Sequence, residues 1–374
     1  MQSLKALLAS LALLLCGSAA HAAPGPQIVG YIFPREAPLK AAQIDAHAMT
    51  RINYAFATIK DGRMAEGSAN DAANLATLTE LRHQNPSLKI LVSVGGWFGS
   101  AGFSAMAATA DDRARFIDSA VAFLSRYNLD GLDLDWEYPA QAGAGNPFRP
   151  ADKQNFTALL AELRTRFDKE ERLGARHWLL TIAAGATKEY LDHTEMRKAQ
   201  QYLDTINLMS YDYAESGVDK LTAHHAPLYP SPADPLKLSA DGSVRAFLRA
   251  GVPAHKLLLG IPFYGRAWSD VPPRHHGLHQ PGRPAPKTPT TYAAIRQELL
   301  THGFVAHWDA QSQVPYLYNA KERIFLSYED PRSARIKSRY ALTHRLGGIM
   351  FWSYETDYNG ELLKNIDEVL RNRP

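Results

Sequence analysis

Apolar and β-branched residues recur along the chain in short runs separated by stretches of helical spacing. Eight runs stand out: Gln27 to Phe33, Arg51 to Ile59, Lys89 to Gly96, Gly131 to Glu137, Trp178 to Ala184, Thr205 to Tyr211, Lys256 to Phe263 and Gly348 to Tyr354. Each has strand length and strand composition. Between them apolar residues return every three or four positions. Phe116, Ile117, Ala120, Val121 and Leu124 do so before the fourth run, and Phe156, Leu159, Leu160, Leu163 and Phe167 after it. Strands alternating with helices make a parallel sheet, and eight such units suffice to close it. The expected fold is therefore α/β, a (β/α)8 TIM barrel. The rival, an open doubly wound sheet, lacks its usual sign, because no Gly-rich dinucleotide turn follows the first run.

One interval breaks the rhythm. More than eighty residues separate the seventh and eighth runs. Asp270 to Pro289 is rich in Pro, Gly and His and reads as loop. Thr290 to Leu300 has helical character, and VPYLY and RIFLSY read as strand pieces around a turn at Asn319 to Lys321. A small α+β insertion, placed at 267–335, is expected to ride on the barrel that otherwise fills 23–374.

Composition narrows the class. The 374 residues are 45% hydrophobic and 21% charged, as in soluble globular proteins. The 41 basic and 38 acidic residues leave a net charge of +3, with no basic run, so no nucleic-acid partner is expected. Residues 1–22 read as a cleaved export signal: Lys5, a short apolar run from Ala6 to Leu15, and the small-x-small site Ala20-His21-Ala22. The run is too short to span a bilayer, so the mature chain is expected in the periplasm or outside the cell, without a membrane anchor. The single cysteine, Cys16, lies within that signal. It follows Leu15, which is too large for a lipoprotein site, and the mature chain would hold no disulfide.

The fourth run, DGLDLDWEY from Asp130 to Tyr138, carries the chemistry. Alternation puts Leu132, Leu134 and Trp136 on the helix-facing side and Asp133, Asp135 and Glu137 on the other, inside the barrel. Asp130 precedes the strand as a turn or cap residue. Buried, like-charged carboxyls raise one another's pKa. Glu137 lies at the carboxyl end of its strand, where barrel enzymes place their sites, and with its pKa raised by Asp135 it suits a general acid. A divalent-cation site or a structural polar layer are the other readings of the same spacing. The histidines at 275, 276 and 279, set among Pro273 and Gly277, read as loop, and no metal is expected there. Ser93 has no nucleophile-elbow context and is expected to hydrogen-bond the acidic row.

DGLDLDWE also resembles the DxxDxDxE motif of glycoside hydrolase family 18. SVGG at Ser93 to Gly96 resembles the family's third strand, NYAFA at Asn53 to Ala57 its second, and MSYD at Met209 to Asp212 its sixth. GIPFYGRAW at Gly260 to Trp268 resembles the seventh, and FWSYETD at Phe351 to Asp357 the eighth. The resemblance spans essentially the whole mature chain and includes the insertion. It implies a chitinase that uses the substrate's own acetamido group as nucleophile, one of the departures from the two-carboxylate scheme.

On that resemblance Glu137 would protonate the glycosidic oxygen, Asp135 would orient the acetamide, and Asp133 would share a proton with Asp135. Tyr211 would donate to the acetamido oxygen, and Asp212 would tune the acid. Trp352 would floor the cleavage subsite, and Trp97 would pave the leaving-group side. Tyr31, Phe56, Gly96, Tyr138, Met209, Tyr264 and Arg266 would line the cleft, with a structural salt bridge as the other reading of Arg266. The resemblance implies no cofactor, a chito-oligosaccharide partner and a monomer. A lectin on the same barrel would be expected to lack the acid, which is present. An enzyme of the N-glycan core or of peptidoglycan is the other rival.

Overall fold

The computed structural model describes residues 25–371 except 36, 235 and 236, so the expected export signal lies outside the described residues. Eight strands form the ring: β1 (Gln27–Ile32), β2 (Arg51–Lys60), β3 (Lys89–Gly95), β4 (Gly131–Asp135), β5 (Leu179–Gly185), β6 (Thr205–Met209), β7 (Leu257–Pro262) and β8 (Gly348–Trp352). Each pairs in parallel with the next, and β8 pairs with β1, which closes the barrel. A short strand, Arg63–Glu66, folds back antiparallel on β2.

Strand alternation sorts the residues into two cores. Outward side chains such as Leu132, Leu134, Ile206, Leu208, Leu257 and Leu259 meet the helices. The helices Ala110–Arg126 and Asp152–Arg172 bury the periodic faces anticipated above, and Thr109 caps the first by accepting from the Asp112 amide. Inside the ring a smaller apolar cluster of Val29, Tyr31, Ala55, Leu258 and Met350 shares the lumen with polar residues. Ser93, Asp133 and Thr181 are partners in register across β3, β4 and β5, so the polar groups form a layer rather than scattered defects.

Three strands end two residues earlier than their apolar runs suggest. β4 stops at Asp135, β6 at Met209 and β8 at Trp352. At β4 the Glu137 amide donates to Ser100 Oγ at 2.9 Å instead of to a neighbouring strand. At β6 the Ser210 hydroxyl takes the amide of Gly260 and donates to its carbonyl, both at 2.9 Å, in place of a ladder bond. Glu137 and Tyr211 thus sit in the loops just past the strands, at the carboxyl face of the barrel.

Between β7 and β8 lies a five-stranded antiparallel sheet, in the order Arg283–Pro284, Arg266–Ser269, Ile324–Ser327, Val314–Asn319, Val305–Asp309. A helix at Tyr292–Gln297 accompanies it. The next helix, Pro331–Thr343, opens with a capping box between Asp330 and Ser333 and packs on β7 and β8. The anticipated limit at 335 falls inside that helix. Under it Lys337 and Glu329, both fully buried, are bonded to each other, and Lys337 Nζ also reaches the Ala226 carbonyl.

Candidate active site

The acidic row lies where alternation put it, but its members differ in partners. Asp133 is fully buried and accepts four hydrogen bonds. Tyr31 Oη (2.7 Å) and Ser93 Oγ (2.8 Å) donate to Oδ2, and Thr181 Oγ1 (2.5 Å) and Asn207 Nδ2 (3.0 Å) to Oδ1. Four donors fill the acceptor positions of a carboxylate. Asp135 is nearly as buried, yet its Oδ1 has no partner among the described residues. Burial, with the charges of Glu137 and Asp133 behind it, pushes the Asp135 carboxyl far above the ordinary range.

Glu137 is pushed up to about 7, first by burial and then by the charge of Asp212, while a hydrogen bond from Tyr138 pulls the other way. The raised value was expected. Asp135 and Glu137 repel one another across the row, and Asp212, from the loop after β6, adds a further charge. An acid that titrates near neutrality beside an unpartnered carboxyl is the arrangement a proton donor needs.

Asp212 adopts a left-handed backbone (φ 57°), which turns its side chain toward the insertion. Tyr264 Oη (2.6 Å), Arg266 Nε (2.8 Å) and His225 Nδ1 (3.4 Å) surround its carboxylate. Burial alone would raise its pKa. The bonds from His225 and Arg266 reverse this and hold it well below the usual carboxylate range. Arg266 therefore makes the salt bridge that was its alternative reading, and it also meets Glu215 at 3.3 Å. Tyr211 presents its hydroxyl to the same space, with only a distant contact to Met350 Sδ at 3.9 Å.

Aromatic rings floor the cavity. Trp352 stacks on Phe56 (5.5 Å, 22°) and touches Tyr31 and Phe33, each at 5.7 Å. Gly96 makes room for this: a Cβ there would lie 2.6 Å from Phe56 Cζ, and its φ of +80° disfavours other residues. Its amide bonds the Asp135 carbonyl, so the structure gives Gly96 a packing role beside the expected contact role. Met209 closes the end of β6 against the inner cluster. Trp97 is 44% exposed and meets Tyr138 edge-on at 6.2 Å. Asn146 Nδ2 bonds the Trp97 carbonyl at 2.9 Å and fixes that loop. Trp136 faces away, stacked on Phe103 at 5.0 Å.

Several contributors were missed in the sequence. Asn207 and Arg51 stand at inward positions of β6 and β2, so parity alone could have found them. Phe33, Ser100 and His225 lie in loops, where no period marks them. Among the histidines, His224 bonds Asp309 and His276 stacks on His307, and the described residues hold no cluster of three or more potential metal ligands.

A closed β/α barrel with one raised acid at its carboxyl face, a buried carboxyl beside it and a floor of rings is the frame of a sugar-cleaving hydrolase. The chain belongs to glycosyl hydrolases family 18, whose profile matches residues 27–357. It is 40% identical over 306 residues to Chitinase A1 of Niallia circulans, covering 78% of this chain but 44% of that protein, so it spans less than half of that relative. The solved family 18 N-acetylglucosaminidase from Paenibacillus barengoltzii is 40% identical, with a TM-score of 0.84, over 92% of this chain and 99% of that one. Human YKL-39, described as a pseudo-chitinase with retained chitooligosaccharide binding, is 27% identical with a TM-score of 0.83, over 93% of this chain and 100% of that one.

Proposed function

We propose that this chain is an exported, monomeric chitinase that hydrolyses β-1,4 bonds between N-acetylglucosamine units by a substrate-assisted, retaining route without a cofactor. The observation that carries the reading is the pairing of Glu137, held near 7, with Asp135, whose carboxyl oxygen awaits a partner. Glu137 protonates the leaving oxygen. The acetamido carbonyl of the sugar on the non-reducing side attacks its own anomeric carbon and forms an oxazolinium ion. Asp135 accepts from the acetamido N–H and holds the acetamide in line for attack, while the free hydroxyl of Tyr211 donates to the acetamido oxygen. Glu137, now a base, takes a proton from the water that opens the ring. Trp352 stacks under the reacting sugar, and Tyr31, Phe56, Tyr138, Met209, Tyr264 and Arg266 shape the pocket around it. Trp97 supports the leaving-group side.

Export rests on the N-terminal pattern, and no described helix is long and apolar enough to cross a membrane. The lectin reading meets an intact acid, and the family relation favours chitin over other amide-bearing glycans. A product time course on chitin hexasaccharide tests the proposal, beside a partly deacetylated hexasaccharide, a glycoprotein and peptidoglycan. Fully acetylated chain should be cut, and bonds following a glucosamine unit should survive. Inert chitin hexasaccharide sinks the activity, and cleavage after glucosamine sinks the substrate-assisted route. Single sugars appearing first would mark end-on cleavage, the behaviour named for the Paenibacillus barengoltzii relative.

A further inference from the structure

The amino end of the barrel lumen holds a guanidinium that the proposed reaction does not use. Arg51, the first residue of β2, is only 1% exposed. Its bonded partners are all neutral: Thr205 Oγ1 at 2.8 Å and Gln27 Oε1 at 3.4 Å from Nη1, and Asn207 Oδ1 at 2.8 Å from Nη2. Nε has no partner, and no carboxylate forms a salt bridge with Arg51 among the described residues. A buried charge without a counter-charge is strongly disfavoured. The counter-charge lies one side chain further on. Asn207 accepts from Arg51 through its oxygen and donates through its nitrogen to Asp133 Oδ1 at 3.0 Å and to Tyr31 Oη at 2.9 Å. The amide therefore points its negative end at the cation and its positive end at the anion.

We propose that Arg51 is a positioning residue that acts through Asn207 to keep Asp133 ionised, so that the proton of the acidic row resides on Asp135. The inference rests on the catalytic reading of that row. Other groups near the pair do not replace Arg51. Asp133 is faced by Tyr31 from β1, Ser93 from β3, Thr181 from β5, Asn207 from β6 and Tyr211 beyond it, with Asp135 and Glu137 on its own segment. None of these is a cation. Asp204, the other acid near Arg51, is already engaged by Arg164 at 3.5 Å, His177 at 3.4 Å and the Leu180 amide at 2.7 Å. Arg82 and Arg176 at the same end are bonded to Asp130. Burial lowers the Arg51 pKa, and Asp133 is the first of the charges that restore it.

Loss of a nearby cation raises the pKa of every carboxyl that feels it. Across a gap of about 7 Å at an effective dielectric constant of about 20, the lost interaction corresponds to roughly one pH unit or more in the acidic limb. The acid row then takes up an extra proton sooner as pH falls. The test is the pH profile of kcat/KM on a fluorogenic chito-oligosaccharide for wild type, Arg51→Met, Arg51→Gln and Arg51→Lys, with thermal unfolding of each. The acidic limb should move up by about one unit in the two neutral variants and stay near wild type in the lysine variant. Gln keeps donors for Thr205 and Asn207 should Met fail to fold. A carboxyl titration by difference infrared on the same proteins reads the row without turnover, and should show one carboxyl titrating about one unit higher in the neutral variants than in wild type. An acidic limb and a carboxyl titration unchanged from wild type, or a lysine variant shifted as far as the glutamine one, overturns the proposal. A wild type inert on chito-oligosaccharides would instead refute the functional reading, and the infrared titration would still decide the ionisation of Asp133.

Discussion

Replacing Asp212 by Asn tests the source of the Glu137 shift. Asp212 is held ionised by His225 and Arg266 far below neutrality, so it carries a full negative charge wherever the enzyme works. That charge opposes ionisation of Glu137 and, after burial, is the charge that lifts it to about 7. The sign follows directly. A neutral Asn at 212 makes ionised Glu137 cheaper, its pKa falls, and the protonated acid is lost at lower pH. Arg266, left without its first partner, adds to the same direction. For unit charges about 8 Å apart at an effective dielectric constant of about 20, the interaction is about 2 kcal/mol, equivalent to roughly 1.5 pKa units. Water reaching the half-buried Asp212 screens part of it, so the basic limb of kcat/KM should move down by about one unit. The assay is the pH dependence of initial rates on a soluble chito-oligosaccharide, read as kcat/KM so that the free enzyme is reported. Asn keeps the shape and the Tyr264 contact, so thermal unfolding should stay close to wild type. A basic limb that stays in place or moves upward would refute the claim that Asp212 tunes the acid, and would leave burial as the whole cause.

Two further changes probe the acid and the core. Glu137→Gln should cost at least about a thousandfold in kcat while titration calorimetry still detects oligosaccharide binding, because the shape survives and the proton does not; turnover near wild type would remove Glu137 from its role. Lys337→Met should destabilise the fold by about 3–5 kcal/mol in urea melts, since it strands a buried Glu329 whose Oε2 already lacks a partner, whereas Lys337→Met with Glu329→Leu should return most of that loss; equal stability of the single and double variants would contradict the pairing.

The barrel was legible because its information is local. Each strand announces itself by its apolar run, and the parity of β4 alone separates Leu132 and Leu134 from Asp133 and Asp135. Strand ends were overrun because Trp136, Ser210 and Ser353 continue the apolar run or its rhythm while their backbones leave the ladder. What makes the ladder stop is a hydroxyl, Ser100 or Ser210, whose partner is settled only by the folded ring. Asp212 entered as a group that tunes the acid only through the resemblance, because it reaches Glu137 from the loop after β6, where no local period marks it. Arg51 and Asn207 meet across 156 residues of chain, a contact that exists only after closure.

The four bonds to Asp133 also bear on how the ring keeps its shape. Ladder bonds tie each strand only to those beside it, so a ring held by them alone can flatten or ovalise at little cost. Asp133 on β4 reaches its neighbours β3 and β5 through Ser93 and Thr181, but also β1 and β6 through Tyr31 and Asn207, which lie beyond them. One buried side chain is thus the hub of a set of spokes across the lumen. The carboxylate that would be expected to serve only chemistry fixes the roundness of the wheel on which the neighbouring acid is mounted.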